Sequence, residues 1–583
     1  MNVKKLLALL TAVLMVAGFA VACAPAATTE EPAATEAATE ATEATEAPAA
    51  EEVSAAPANW ADYDALINQI KTTTDFAGRV TLMHQAEDML MATGAVCPIY
   101  YYNDLFMQKA AVEGIHANPY GMKYFQYATN GTSDTLNVNL ASEPENLDPA
   151  LNTTVDGGCL AILQFGGLYS DSANGIVPNF ADGMPTVSED GMTYTIKVKD
   201  GLKWSDGSDL TAADFVYSWQ RVVAAETAAE YSYMFSAIAG YADKNLNVKA
   251  DGNTLTIVLD APCAYFLDLL AFPTYFPVKQ SVVEGAEGYK DASGAVVAPN
   301  AWCKEAGFVS CGAFTLTEWT HDSGMVFTKN PYYWDAANVK LNTIKFMLSA
   351  DDVAIYAAYN AGDVDFIDTV PTDEIANLKS NPEFHVIDNL GTYYLCFNVN
   401  SDIYDGMTAD QASALRRAIA SAIDRQYIID TVGQTEQKVA TSWVGYGVND
   451  GNGGQFKDAA AWDYPNGSDG YFNDNDIDSA VQILTDAGFE MENGMLKTPI
   501  EFEYLINEST GHQGIAECVQ QDLAAIGVNI TIHTVDWATF VNERQAGNFD
   551  LCRHGWLCDF NDPINMLELF GSTSGNNDAQ LGK

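Results

Sequence analysis

The chain contains the segment Asn548-Phe-Asp-Leu-Cys-Arg-His-Gly-Trp-Leu-Cys-Asp-Phe-Asn-Asp-Pro563, whose first half alternates like a β-strand. A turn follows, in which Asp562 is predicted to cap a helix that begins at Pro563. Asp559 would then lie just past the carboxyl end of a strand, where open α/β sheets bind ligands. Arg553 and Asp559 place a cation and an anion in one segment, which suits an extended ligand with charged ends. A core strand with a surface ion pair is the alternative that the local pattern leaves open.

The length and charge of the chain limit what it can be. Its 583 residues exceed the size of a single-core domain, so we expect at least two lobes. With 28 Lys and Arg against 78 Asp and Glu, the net charge is −50, which argues against nucleic acid or anionic membrane surfaces as partners. The 48% hydrophobic content is that of a folded protein.

The amino terminus has the pattern of an export signal. Lys4 and Lys5 precede an apolar run over 6–21, and Ala20-Val-Ala-Cys23 resembles a bacterial lipoprotein box. Residues 1–22 are therefore predicted to be a lipoprotein signal peptide, with Cys23 as the acylated residue. An uncleaved membrane helix is the alternative, but the apolar run is short and a polar segment follows it. That segment, 23–57, is rich in Ala, Thr and Glu and is predicted to be a disordered tether.

The cysteines and the short motifs point to no catalytic or metal chemistry. Lipidation of Cys23 would leave nine of the ten cysteines, an odd number. The pairings Cys303–Cys311 and Cys396–Cys558 are disulfides that the sequence leaves open. There is no Cys-x-x-Cys, nucleophile elbow, Walker lysine or His-Glu-x-x-His motif, so we expect no enzyme, no metal and no cofactor.

Helical and strand periodicities are mixed along the whole body, which indicates an α/β class. The predicted helices span 62–71, 76–92, 211–221, 353–361, 411–423, 428–432, 477–487 and 514–525. The predicted strands span 95–102, 135–140, 193–198, 254–259, 326–328, 344–348, 364–367, 393–398, 500–505 and 529–534.

Several motifs carry a resemblance to a known family. They are Gly201-Leu-Lys-Trp-Ser-Asp-Gly207, Leu210-Thr-Ala-Ala-Asp-Phe-Val-Tyr-Ser-Trp-Gln-Arg221, Lys329-Asn-Pro-Tyr-Tyr-Trp334, Ala361-Gly-Asp-Val-Asp-Phe366, Leu415-Arg-Arg-Ala-Ile-Ala-Ser-Ala-Ile-Asp-Arg425 and Trp556-Leu-Cys-Asp-Phe-Asn-Asp-Pro563. Together they resemble the peptide-binding (family 5) solute-binding proteins of ABC importers, over roughly 58–580.

The order of the segments departs from that family. The region from Trp60 to Tyr127, with Pro98-Ile-Tyr-Tyr-Tyr-Asn103, resembles the family's carboxyl-terminal segment, yet here it precedes Leu136-Asn-Val-Asn-Leu140, which resembles the family's first strand. We interpret this as a circular permutation joined near Thr129-Asn-Gly-Thr-Ser133, because cuts in exposed loops are tolerated. A mis-assembled gene and a segment swapped between chains are the alternatives.

The resemblance implies a two-lobed periplasmic-binding-protein-like fold of class II type with an extra subdomain. Lobe 1 would span 103–388, with the subdomain near 155–285. Lobe 2 would span 389–583 together with 58–102. Two crossings, near 103 and 388, would form the hinge.

The same resemblance implies that an oligopeptide is enclosed between the lobes and delivered to membrane permease subunits of an ABC importer by a lipid-anchored monomer on the outer face of the cell membrane. Backbone hydrogen bonds would come from Ala141, Ser142 and Glu143 on one lobe. On the other lobe they would come from Gly555, Trp556, Leu557 and Cys558. Asp559 would bind the peptide ammonium, and Arg553 or Arg544 its carboxylate.

Two further interpretations stay open in the sequence. Trp537 and Trp556 are either walls of the ligand pocket or ordinary core residues. The ligand is either a peptide or another solute such as an oligosaccharide, and a peptide-sensing receptor without transport is a further alternative.

Overall fold

The structure is a computed structural model that describes residues 60–140, 142–457, 462–466 and 470–583. The signal peptide, Cys23, the tether and Ala141 lie outside the described residues. Within the described ranges, no helix combines the length and the apolar composition needed to cross a membrane.

The helices of the described chain are numbered α1 to α14 in order. They are Trp60–Thr72, Phe76–Ala92, Val155–Gln164, Ala212–Val223, Phe266–Leu269, Gln280–Val283, Asp352–Ala361, Thr372–Leu378, Ala409–Ala422, Arg425–Ile428, Ile477–Asp486, Thr510–Ala524, Trp537–Ala546 and Ile564–Leu567.

The strands of the described chain are numbered β1 to β23 in order. They are Val96–Gln108, Val112–Glu113, His116–Ala117, Lys123–Tyr124, Thr129–Asn130, Thr135–Asn139, Tyr169–Ser170, Val177–Pro178, Thr186–Val187, Thr193–Lys197, Val248–Asp251, Thr254–Val258, Phe314–Thr320, Gly324–Lys329, Thr343–Met347, Phe366–Ile367, Phe384–Phe397, Lys438–Val439, Met491–Glu492, Met495–Leu496, Ile500–Asn507, Val528–Val535 and Leu551–Leu557.

A mixed sheet of eleven strands runs through the described chain in the order β13-β14-β15-β6-β16-β1-β17-β23-β21-β22, with β18 paired to β1. On one side of the central pair β1 and β17, strands β15, β6 and β16 are parallel. On the other side, β21 is parallel to both β22 and β23. Each half of the sheet therefore has parallel strands, at whose carboxyl ends ligand sites form.

The long strands β1 and β17 pass from one half of the sheet to the other. They are antiparallel, and their register shifts between the pairs Tyr101–Thr392 and Asn103–Asp388, so that 389–391 lie opposite Tyr102 alone. On one side of the shift, residues 391–397 of β17 pair with β23. On the other side, residues 107–108 of β1 pair with β16. The two halves are thus connected through these two strands at residues 103 and 388.

The first described helices pack against the carboxyl-terminal end of the chain. The Trp60 Nε1–H donates to Phe570 O at 2.8 Å and the Tyr63 hydroxyl donates to Leu567 O at 2.7 Å. The Arg79 guanidinium forms a buried, two-point ion pair with Asp562, at 2.8 and 2.7 Å. Residues 60–108 are therefore part of the same folded body as residues 551–583.

The periodic patterns located most of the elements but missed two helices that matter for function. Helix α2 spans Phe76–Ala92, as its apolar spacing predicted. Helix α3, Val155–Gln164, contains Gly157 and Gly158 and is almost wholly buried, so it has neither good helix propensity nor a polar face. Helix α13, Trp537–Ala546, was also missed, because its apolar residues form no clear stripe.

Two local expectations are corrected by the structure. Helix α14 begins at Ile564, one residue later than predicted, and Pro563 is its cap; Asp562 still accepts a hydrogen bond from Ile564 N–H at 3.0 Å. All nine cysteines of the described chain are free thiols. The register of β17 and β23 places Cys396 opposite Cys552, which separates it from Cys558.

Candidate functional site

A cavity of about 250 Å³ lies beside the carboxyl end of β23. It is lined by Tyr102, Tyr120, Met122, Asn152, Thr153, Thr154, Val155, Asp156, Tyr231, Phe272, Trp537, Arg544, Arg553, His554, Gly555, Trp556, Leu557, Asp559, Asn576 and Asp578. These residues come from both ends and the middle of the chain, so only the folded protein assembles the cavity.

One edge of β23 is open at this cavity. Strand β21 pairs with β23 only at Leu551 and Cys552, and no other described strand continues along that edge. The opposite edge is bonded to β17, where Cys558 N–H donates to Leu390 O at 2.7 Å. Because backbone groups alternate between the two edges, those of Leu557 and the carbonyl of Gly555 point toward the open edge. An extended peptide can add to such an edge as a further strand.

Asp559 is a half-buried carboxylate without a cationic partner among the described residues. Asn565 Nδ2–H donates to its Oδ2 at 2.8 Å and the Tyr231 hydroxyl donates to its Oδ1 at 3.4 Å. Burial raises the pKa of Asp559 to about 7, against the smaller lowering effect of the Asn565 hydrogen bond. A buried carboxylate gains free energy when it is paired with a cation, so this position favours an ammonium group.

Arg553 is a buried cation without a carboxylate partner in the described chain. Its Nε–H donates to Asn507 Oδ1 at 2.6 Å, and its guanidinium lies 4.6 Å from the centre of the Phe540 ring. Burial lowers the pKa of Arg553, the reverse of the effect of an ion pair. The two terminal nitrogens of the guanidinium make no protein hydrogen bond in the described chain, which leaves the fork free for a ligand carboxylate.

Arg544 lies beside the same cavity but is already neutralised. Its Nε is 2.8 Å from Asp578 Oδ2, close enough for an ion pair although not aligned as a hydrogen bond. His554 Nε2 is also 2.8 Å from that oxygen. Burial opposes ionisation of Asp578, but Arg544 and His554 together hold the pKa of Asp578 below its usual value. Because Asp578 neutralises Arg544, this arginine should bind a ligand carboxylate less strongly than Arg553.

Aromatic rings and one glycine shape the walls of the cavity. Trp556 is 7% exposed, and its Nε1–H donates to Asn565 Oδ1 at 3.1 Å. Trp537 also lines the cavity, and its indole N–H has no partner among the described residues. A Cβ at Gly555 would lie 2.1 Å from the Tyr102 hydroxyl, so only glycine allows the two to approach this closely.

A second cavity, of about 310 Å³, shares Val155, Asp156 and Trp537 with the first. Its other walls come from the carboxyl ends of β6, β15, β16 and β21, which are Asn139, Ser349, Asp368 and Asn507 with their neighbours. Since the two cavities have walls in common, they are adjoining parts of one cleft between the halves of the sheet.

The structure brings together most of the residues that the sequence singled out. Arg544, Arg553, Gly555, Trp556, Leu557, Asp559 and Trp537 line the first cavity, and Ser142 lines the second. Cys558 and Glu143 line neither: the carboxylate of Glu143 accepts from Asp322 N–H at 2.9 Å and contacts His321. The Gly555 N–H is directed to His554 Nδ1 at 2.8 Å, and Trp556 pairs with Thr392.

Sequence reasoning missed Tyr102, Tyr231, Asn565 and residues 152–156, which lead into α3. Tyr102 belongs to a run of three tyrosines that was interpreted only as a buried strand. Tyr231 and Asn565 meet at Asp559 although they are more than 300 residues apart, so no local signal marks them.

Comparison with known proteins identifies the relatives of the chain. Residues 175–578 match the family model for bacterial extracellular solute-binding proteins, family 5 middle. The oligopeptide-binding protein OppA of Bacillus subtilis is 30% identical over 76% of this chain and 79% of its own length. The periplasmic murein peptide-binding protein MppA of Escherichia coli is 30% identical over 75% of this chain and 78% of its own.

A solved structure has the same fold. Listeria monocytogenes OppA bound to peptide aligns with a TM-score of 0.67 at 27% identity, covering 77% of this chain and 86% of that protein. The two halves of the sheet are therefore the two lobes of a periplasmic peptide-binding fold.

Proposed function

This chain belongs to family 5 of the bacterial extracellular solute-binding proteins, and we propose that it captures oligopeptides in the cleft and delivers them to an ABC importer. Proteins of this family bind their solutes without transforming them. The names of relatives such as OppA support an oligopeptide as the solute.

The observation that carries the proposal is a pair of charges at one cavity, each shielded from solvent at least in part and each without an opposite charge beside it. Arg553 is buried and has no carboxylate partner, and Asp559 is half-buried and has no cation, in the chain as described. A peptide with free ends brings one charge of each sign, and its backbone matches the open edge of β23. Hydrogen bonds to the peptide backbone do not depend on side-chain identity, so binding tolerates many sequences.

Two measurements test this function. Peptides released from the purified, denatured protein should be found by mass spectrometry, and trialanine should bind in calorimetry. Trialanine that is acetylated and amidated should bind more weakly, because it has lost both charges. If neither peptide binds and an oligosaccharide does, the cleft serves another solute of the family.

The proposal includes attachment to the outer face of the cell membrane through an acylated Cys23 and the tether that follows it. The sequence pattern over 1–57 supports this placement. Globomycin, which blocks the signal peptidase of lipoproteins, should leave the precursor uncleaved, and Cys23→Ser should release the protein from membranes.

The circular permutation is part of the same proposal: residues 58–102 complete the lobe formed by 389–583. The contacts of Trp60, Tyr63 and Arg79 with residues 562–570 support it. So does the contact of Trp60 with Gly582. The match to the family model begins at residue 175, so it does not include residues 58–102.

A rearranged chain tests the permutation. Residue 583 is joined to residue 60 by a short glycine linker, and new ends are made in the turn at 129–133. We expect this chain to bind trialanine as the original does and to unfold at a similar urea concentration. Two failures together contradict the permutation. The rearranged chain does not fold, and a separate peptide of residues 60–128 does not restore binding to a chain that lacks those residues.

A further inference from the structure

Asp156 is a carboxylate on the boundary between the two cavities. It lies in the first turn of α3 and lines both of them. Its Oδ2 is out of contact with solvent and has no hydrogen-bond partner in the described chain. A ligand in either cavity would therefore lie beside a carboxylate whose hydrogen bonding the protein satisfies only in part.

No cation of the described chain forms an ion pair with Asp156. Arg553 lines the first cavity with it and is the guanidinium proposed for the peptide carboxylate. Lys123 is the lysine of the second cavity, and its ammonium lies 2.7 Å from Asp104 Oδ2 and 3.8 Å from Asp368 Oδ2. Arg544 is paired with Asp578. His512 is neutral, because burial holds the pKa of its imidazole well below the usual value.

The charge of the second cavity is consequently negative. Asp352, Glu508 and Asp156 line it against the one ammonium of Lys123, and burial raises the pKa of a fourth lining carboxyl, Asp368, to about 7. Asp352 is held by the Thr510 hydroxyl, and Asp368 shares Lys123 with Asp104. Asp156 is thus the carboxylate that faces both cavities while lacking a partner for one oxygen.

A structural role in α3 accounts for only part of this arrangement. A carboxylate in the first turn is stabilised by the partial positive charge of the helix amino terminus. That stabilisation does not require the side chain to lie at a cavity wall or to leave Oδ2 unbonded. Burial of this kind raises the free energy of the empty protein, and a ligand cation would relieve it.

We propose that Asp156 recognises a lysine or arginine side chain of the bound peptide, which makes the cleft selective for basic peptides. This inference rests on the proposed peptide-binding function. The overall charge of −50 acts in the same direction, because a negative field draws cationic peptides toward the protein at low salt.

The test compares lysine with norleucine, which has a similar length but no charge. Calorimetry measures the dissociation constants of Lys-Ala-Ala, Ala-Lys-Ala and Ala-Ala-Lys and of the three norleucine peptides. At one position at least, the native protein should prefer lysine about tenfold or more, the range of a charge-assisted hydrogen bond. Asp156→Asn should reduce this preference to less than about threefold while it still binds trialanine.

Asp243→Asn is the matched control, because it removes one charge from an exposed residue outside both cavities. It should leave the preference for lysine unchanged. An equal preference in the native protein and in Asp156→Asn overturns the inference while trialanine binding keeps the peptide function intact. If trialanine does not bind the native protein, the peptide function fails, and the selectivity fails with it.

Discussion

Arg544 and Arg553 are two largely buried arginines beside the same cavity, and they differ in one partner. Both guanidiniums lie over the ring of Phe540, at 5.6 and 4.6 Å. Arg544 is ion-paired with Asp578, whereas Arg553 has only the neutral Asn507. The difference teaches that a buried arginine is part of the fold when the chain itself neutralises it, and is available to a ligand when the chain does not.

This contrast also supports the order in which the resemblance ranked two candidates, Arg553 before Arg544. Both arginines match positions at which the family resemblance implies a carboxylate-binding residue. Because Asp578 comes from the last residues of the chain, its contact with Arg544 is visible only after folding. We therefore propose that Arg553, and not Arg544, binds the ligand carboxylate.

The largest expected effect is on the free energy of unfolding, when the ion pair between Arg544 and Asp578 is broken. Asp578→Asn leaves both Arg544 and His554 without their anion, so the free energy of unfolding should fall by about 3–5 kcal/mol, the cost of breaking a buried ion pair. Urea denaturation measures this change. Asp243→Asn, at an exposed position, should unfold like the native protein; an equally small change for Asp578→Asn would mean that the pair does not stabilise the fold.

Substitution of Arg553, which has no ion pair in the described chain, should weaken ligand binding without lowering the free energy of unfolding. Arg553→Gln removes a buried charge that has no partner, so the free energy of unfolding should stay the same or rise. Binding of trialanine should weaken by about 1.5–3 kcal/mol, while the carboxyl-amidated peptide should lose much less. Calorimetry with both peptides checks this. If the two peptides lose affinity equally, Arg553 does not bind the carboxylate.

The smallest effect is a pH dependence at Asp559. The pKa of Asp559 is raised to about 7 from its ordinary value of 3.8, so its protonated form stabilises the fold at low pH, and this contribution is lost as the pH rises through about 7. An ammonium ligand needs the ionised form, so affinity for trialanine should fall below pH 7, by up to about tenfold per pH unit.

N-acetylated trialanine should show a much smaller fall, and Asp559→Asn should bind trialanine with a flatter profile than the native protein between pH 5 and 7. A native protein whose affinity for trialanine is constant over this range would remove Asp559 from the role of ammonium partner. Salt concentration is held fixed, because the net charge of −50 also affects the binding of charged peptides.

The sequence predicted best where a pattern is local. The apolar spacing of α2 and the alternation that leads into β23 depend on neighbouring residues, and both elements formed. The position of Asp559 past the end of a strand followed from the same alternation. Helix α3 was missed because it is buried on nearly all sides, so its sequence has no polar stripe to mark it. Asp156 was missed with it.

What the sequence by itself determined is the set of strands and helices, the mixed α/β class and the segment that carries Arg553 and Asp559. Periodicity and turn chemistry determine these features, because both depend on residues that are only a few positions apart in the sequence. Only the tertiary structure decided which charges remain unpaired. Pairing depends on residues hundreds of positions apart, such as Tyr231 with Asp559 and Arg79 with Asp562, and burial then sets the free energy of each charge.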